Sequence, residues 1–128
     1  MITKIAFVAH PTSNMESMKQ FYGEHLGLAL SQDMGDMWCE FVTPEGKTLA
    51  LDPHSAKMPD AKPYVAFESD DIEADVERLK GAGAIVAKDV WTNEHEGKEI
   101  CKMAIIVDPD GNPLMLHQMA AWRQHGEA

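Results

Sequence analysis

Short apolar runs and stretches of helical period follow one another along the chain in an order that occurs twice. Residues 2–9 and 64–69 are apolar runs of strand character. Behind the first, residues 14–27 carry Met15, Met18, Phe21, Tyr22 and Leu26 at helical spacing, with Ser13 or Asn14 as the N-cap. Behind the second, residues 71–81 repeat the pattern with Ile72, Val76 and Leu79. Asp70 or Asp71 caps that helix, and Gly81 and Gly83 stop it. Three strands follow each helix, near residues 28–33, 37–43 and 47–52 in the first half and near 84–91, 100–107 and 113–118 in the second. Residues 53–63, with three prolines, read as a linker, residues 93–97 as a charged loop, and the tail beyond Gln118, with Trp122, as a short helix or a frayed end.

The last two strands of each half are joined by a turn sequence, Thr43-Pro44-Glu45-Gly46 and Asp108-Pro109-Asp110-Gly111. Proline presets φ at the second turn position, and glycine takes the left-handed conformation that lets the chain return. The halves also match in sequence. Residues 44–52 align without gaps on residues 109–117, with Pro, Gly and both Leu identical at an offset of 65. Lys4-Ile5-Ala6-Phe7 aligns on Tyr64-Val65-Ala66-Phe67 at an offset of 60. The chain therefore reads as two copies of one βαβββ unit. One helix covers one face of a four-stranded sheet, and pairing two such units shields the other face in a cup suited to a small molecule.

Two βαβββ copies in 128 residues, the ending Asp108-Pro109-Asp110-Gly111-Asn112-Pro113-Leu114-Met115-Leu116-His117 and the phrase Phe21-Tyr22-Gly23-Glu24-His25-Leu26-Gly27-Leu28 together resemble the vicinal oxygen chelate superfamily. That group includes glyoxalase I, bleomycin-resistance proteins, fosfomycin-resistance enzymes, methylmalonyl-CoA epimerase and extradiol dioxygenases. The resemblance implies an α+β fold in which two tandem βαβββ modules, residues 1–53 and 63–119 of a single domain, form a cupped mixed sheet. It also implies a homodimer. Metal-dependent members carry one ligand on the first and one on the fourth strand of each copy, usually His or Gln and then Glu. Carried over, those positions hold Lys4, Ala50, Tyr64 and Met115. An ammonium, a methyl, a phenol and a thioether do not make a divalent-cation site. No cofactor is expected; the alternative left open is a divalent metal relocated to Glu40 and His117.

Residues two apart on a strand share a face. The cup is then expected to be lined by Lys4, Ala6 and Val8, by Thr48, Ala50 and Asp52, by Tyr64, Ala66 and Glu68, and by Met115 and His117. His117 follows an apolar run and titrates near neutrality, which suits proton transfer. Glu40, in Trp38-Cys39-Glu40-Phe41-Val42, would be a carboxylate among apolar groups, although the sequence leaves the facing of the third strands open. His117 and Glu40 are the candidate catalytic pair. Tyr64, Trp38, Met115, Lys4, Asp52 and Glu68 are candidate substrate contacts. Each has a plainer role as well: Tyr64, Trp38 and Met115 as apolar filling, Lys4 as a snorkelling cation, Asp52 and Glu68 as strand-end polar groups. His10, His54, His95 and His125 lie in loops or the tail and read as solvated. Cys39 and Cys101 read as buried structural thiols, because a reactive thiol needs a positive surrounding that the sequence does not display.

Composition narrows the partners. One domain is the expectation for this length. The formal net charge of −10 repels phosphate backbones and anionic lipid, so nucleic acid and membrane surfaces are poor partners. Two cysteines make no disulfide framework. The chain has no apolar run of membrane-spanning length, and its start lacks a signal peptide's apolar core. A soluble cytoplasmic protein with free thiols is the default. Three functions remain in view: a glyoxalase-like lyase or isomerase using His117 and Glu40, a non-catalytic dimer that sequesters a small molecule, as drug-resistance members of the resembled family do, or a degenerate member with a regulatory role.

Overall fold

The structure, a computed structural model, describes residues 1–58 and 61–123. The expectation for His125 lies outside the described residues. Among the described residues, eight strands and two short α-helices follow in the order β1 (Ile2–Pro11), α1 (Met15–Lys19), β2 (Ala29–Asp33), β3 (Cys39–Val42), β4 (Thr48–Asp52), β5 (Tyr64–Ser69), α2 (Ile72–Gly81), β6 (Ile85–His95), β7 (Lys98–Val107) and β8 (Pro113–Met119). This is an α+β chain in which the order βαβββ occurs twice. Single 3₁₀ turns occupy Ser55–Lys57 in the linker and Ala121–Arg123 in the tail. No helix among the described residues is long and apolar enough to cross a membrane.

The chain divides into two compact units, Phe7–Tyr64 and Met1–Ala6 with Val65–Ala128. In the first, strands run in the order β2-β3-β4-β1, with β1 parallel to β4 and the other pairs antiparallel. Cys39, Phe41 and Leu51 point to one face and pack with Met15 of α1, joined by Met18, Tyr22 and Leu28. Asn14 caps α1, its side chain accepting the Ser17 N–H at 3.1 Å. Phe21 and Leu26, expected in the same apolar stripe, are instead exposed. The reason is a change of period: Gln20–His25 is π-helical, and the Leu26 N–H reaches the Phe21 carbonyl at 2.9 Å. The wider turn swings those two side chains away from the core. Gly23 lies where a Cβ would come within 3.3 Å of the Phe41 ring, so a larger residue would push that ring out of place.

The second unit has strand order β5-β8-β7-β6, with β5 parallel to β8 and the remaining pairs antiparallel. Ile72 and Val76 of α2 pack on Ala104, Ile106 and Leu116, with Phe67, Leu79 and Leu114 around them. Asp71 is the N-cap, accepting the Ala74 N–H at 3.2 Å. The turn before β8 closes as expected: the Gly111 N–H reaches the Asp108 carbonyl at 2.9 Å, with Gly111 at φ +86°. Residues 93–97 are no loop. β6 continues through His95, and the reversal is made by Glu96 and Gly97, both at positive φ.

The register of β1 corrects the first-strand alignment. Ala9 pairs with Ala50 in one unit, and Ala66 pairs with Met115 in the other. Ala50 and Met115 are equivalent, so Ala9 corresponds to Ala66 and Phe7 to Tyr64, an offset of 57 rather than 60. An odd shift turns a strand over. Phe7 and Ala9 are the buried residues of β1, whereas Lys4 and Val8 are exposed and Ala6 is half-buried. The face expected to carry Lys4, Ala6 and Val8 is therefore the opposite one.

Candidate functional site

β8 alternates between two environments. Leu114 and Leu116 lie under α2, so Met115 and His117 stand on the other face of the sheet. The parallel register sets Glu68 beside His117, and the antiparallel register sets Met103 opposite it. The His117 Nδ1–H donates to Glu68 Oε1 at 2.6 Å, and the Met119 N–H donates to Glu68 Oε2 at 2.8 Å. Both carboxylate oxygens are thus engaged, and the ring is held in one orientation.

Burial and charge compete at this pair. Burial pushes the His117 imidazolium down, but hydrogen bonds to Cys101 and Glu68 and the charges of both outweigh it and raise the ring to about 9. Burial pushes the Glu68 carboxyl up, while hydrogen bonds from His117 and the Met119 N–H, with the charges of His117 and Lys4, hold it below its ordinary range. His117 is therefore an imidazolium at neutral pH, only 7 % exposed.

Cys101 completes the group. It pairs with Met119 on the neighbouring strand, one diagonal step from His117 on the same face. The Asn93 side-chain amide donates to Cys101 Sγ at 3.5 Å and to Met103 Sδ at 2.9 Å. Trp91 Nε1–H in turn holds Asn93 Oδ1 at 3.1 Å. Lys88 Nζ lies 4.1 Å from the Trp91 ring centroid. Cys101 is buried, as its reading as a structural thiol expects, but sequence reasoning missed that it and Asn93 stand near His117. A signal existed: once the turn at Asp108–Gly111 pairs Val107 with Pro113, counting back along the hairpin sets Cys101 opposite Met119 and diagonal to His117. Asn93 was hidden because its segment read as a loop.

The other candidates fall in the unit Phe7–Tyr64, apart from Lys4. Glu40 is opposite Ala50 in the ladder and alternates with the core residues Cys39 and Phe41, so it faces away from α1. Its Oε2 accepts the Trp38 Nε1–H at 2.7 Å, and the Trp38 ring meets Phe7 edge to face at 5.6 Å. The Tyr64 hydroxyl donates to Asp52 Oδ2 at 2.6 Å, while Asp52 Oδ1 accepts the N–H groups of His54 and Ser55 at 2.9 and 3.2 Å. Burial, then the charge of Asp52 and the hydrogen bond to it, hold the phenol far above its usual range. The structure thus brings together Glu68 with His117, Asp52 with Tyr64, and Trp38 with Glu40. Glu40 and His117 belong to different units. Lys4 is exposed and acts on the site through its charge on Glu68.

The metal slots of the resembled family, with the first-strand correction, hold Phe7, Ala50, Tyr64 and Met115. Of these, Tyr64 has its proton committed to Asp52, Met115 offers a soft thioether, and Phe7 and Ala50 have no donor atom. The set does not fit a divalent cation. Among the described residues, no group of three or more His, Cys, Asp or Glu side chains is arranged to hold one elsewhere.

The chain is similar in fold to several solved structures. A glyoxalase/bleomycin resistance protein/dioxygenase superfamily member from Vibrio splendidus 12B01 superposes with a TM-score of 0.70 at 15 % identity, covering 92 % of this chain and 100 % of that one. The Mn(II)-bound glyoxalase from Novosphingobium aromaticivorans gives 0.64 at 21 % identity, over 92 % of this chain and 38 % of its own. An extradiol ring-cleaving dioxygenase from B. fuscum gives 0.66 at 19 % identity, over 94 % and 33 %. No curated protein matches the chain. The family model of the Glyoxalase/Bleomycin resistance protein/Dioxygenase superfamily matches residues 4–116, nearly the whole sequence, and the chain belongs to that superfamily.

Proposed function

We propose that the protein is a metal-independent enzyme of the lyase or isomerase type that moves a proton beside the carbonyl of a small substrate. The observation that carries this reading is the buried Glu68–His117 pair on the sheet face away from α2. An imidazolium held in one orientation donates a proton to a carbonyl oxygen as negative charge develops there. Once neutral, the same ring accepts the proton from the adjacent carbon, so one group serves in both steps. Glu68, not Glu40, is the carboxylate that orients His117. The donor-poor set Phe7, Ala50, Tyr64 and Met115 supports chemistry without the metal that other members use.

The test is solvent exchange. Chelator-treated protein, its metal content measured, is incubated in D₂O with pyruvaldehyde, pyruvate or dihydroxyacetone, and deuterium at the carbon beside the carbonyl is followed by proton NMR. Exchange at least about tenfold above buffer for one of these classes, lost in His117→Gln, is expected. Exchange that needs added metal, or none with any class, would overturn the proposal. A second reading, sequestration without chemistry, draws on the net charge of −10, which favours a cationic ligand. Calorimetric binding of such a ligand with no exchange would support it.

A further inference from the structure

A cavity of about 280 Å³ opens at the tip of the β6–β7 hairpin, lined by His95, Glu96, Lys98, Ile100 and Trp122. None of these side chains belongs to the Glu68–His117 group. The backbone around the cavity is irregular. Asn93 pairs with Cys101 and Glu94 with Glu99, so the ladder carries Ile100 as an extra residue, a bulge of the kind that re-aims side chains. The carbonyls at the bulge hold the tail. Glu99 accepts the Trp122 Nε1–H at 2.7 Å, and Ile100 accepts the Ala120 N–H at 3.0 Å. The indole is thereby laid against the hairpin although its ring stays exposed. At the turn Glu96 takes φ +52°, a conformation that Asn, Asp or Gly fills at lower cost in two-residue hairpin turns.

The charges around the cavity are left apart. Lys98 Nζ lies 5.0 Å from the Trp122 ring centroid and, among the described residues, pairs with no carboxylate. Glu96 Oε1 reaches His95 Nε2 at 3.8 Å, longer than a hydrogen bond. Trp122 and Ile100 supply an apolar wall between them. A plain cation on that wall would meet the Lys98 ammonium, and a plain anion would meet Glu96. An uncharged apolar molecule would strip water from both charges and replace it for neither. A molecule with both charges beside an apolar group meets all three demands. We propose that this cavity binds a free α-amino acid with an apolar side chain, its ammonium on Glu96, its carboxylate on Lys98 and its side chain against Trp122 and Ile100. The volume is at the lower edge of small-molecule sites, which suits a ligand of that size.

The experiment is titration of the intact ¹⁵N-labelled protein with L-phenylalanine and with L-leucine, followed at the Trp122 indole N–H, which Trp122→Phe assigns. A saturable shift with a Kd of about 1 mM or tighter is expected for at least one of them. Each is compared with the acid that lacks its ammonium and the amine that lacks its carboxylate. Both analogues should bind at least about threefold more weakly than the amino acid, the share of one exposed charge pair. In Glu96→Gln the advantage over the acid should vanish, and in Lys98→Met the advantage over the amine. No saturable shift of the indole below about 10 mM of either amino acid would overturn the proposal in the wild-type protein alone. An acid or amine that binds as tightly as its amino acid would do the same. A charge preference retained in either variant would remove that side chain from the contact and overturn the assignment. The site shares no residue with the Glu68–His117 pair, so its outcome is independent of the deuterium exchange assay.

Discussion

Replacing Glu68 by Gln tests the electrostatics of the candidate site with little change of shape. The amide oxygen of Gln can still accept from His117 or Met119, but the negative charge is gone. In the native protein His117 is raised from 6.5 to about 9 although burial opposes the charged ring. At about 1.36 kcal/mol per pKa unit, that is about 3 kcal/mol of net preference for imidazolium. Cys101 and Glu68 supply it together, Cys101 the larger share, so losing the carboxylate should remove somewhat less than half of the raising interactions while the burial penalty stays. The His117 pKa is then expected to fall by about 1–2 units, a 10- to 100-fold change in the ratio of charged to neutral ring. Long-range ¹H–¹⁵N correlation spectra across a pH series read the ring directly, with His117→Gln assigning the resonance. A pKa unchanged on replacing Glu68, or raised, would refute the claim that this carboxylate holds the imidazolium.

Three further outcomes follow from the same geometry. Because the native Glu68 carboxyl is depressed, its stabilisation is complete above the unfolded value of about 4.3 and is lost as pH falls through the lower native value. Urea midpoints measured from pH 6 down to about pH 3 should therefore drop less steeply in Glu68→Gln than in wild type. Tyr64→Phe deletes the donor to Asp52 Oδ2 and should cost about 1.5–3 kcal/mol in urea unfolding; a loss within experimental error would mean that solvent replaces the hydroxyl. Ile72→Ala, at a fully buried residue between α2 and its sheet, should cost about 2–5 kcal/mol with no change in His117 titration.

Element types were largely legible from periodicity and turn chemistry. Thr43–Gly46 and Asp108–Gly111 mark both hairpins because proline and a positive-φ glycine leave the chain few other options. The caps Asn14 and Asp71 were legible for a similar reason, since a short polar side chain preceding an apolar stripe satisfies the first amides of a helix. The register of β1 was not. Two apolar strands slide past each other at little sequence cost, and the local match of Ala6-Phe7 to Ala66-Phe67 was bought by turning the strand over. Only pairing with β4 fixes the register. The length difference between copies was equally hidden: copy two carries eight more residues between its N-cap and its fourth strand, spent on the longer hairpin of β6 and β7. At the site, His117 and Glu68 were singled out separately, but their contact comes from β5 and β8, which are 49 positions apart at this pair.

The corrected register has an architectural consequence. Phe7 and Tyr64, Pro11 and Glu68, Ala50 and Met115, Asp52 and His117 are the same backbone addresses written twice. At the strand-end address, one copy carries an aspartate tied to its own linker and to Tyr64, while the other carries a histidine tied to Glu68. Duplication has left one frame with two mountings, one fitted with a structural brace and one with titratable chemistry. The brace reaches across to Tyr64 at the start of the second copy, whereas the titratable pair is assembled within its own copy.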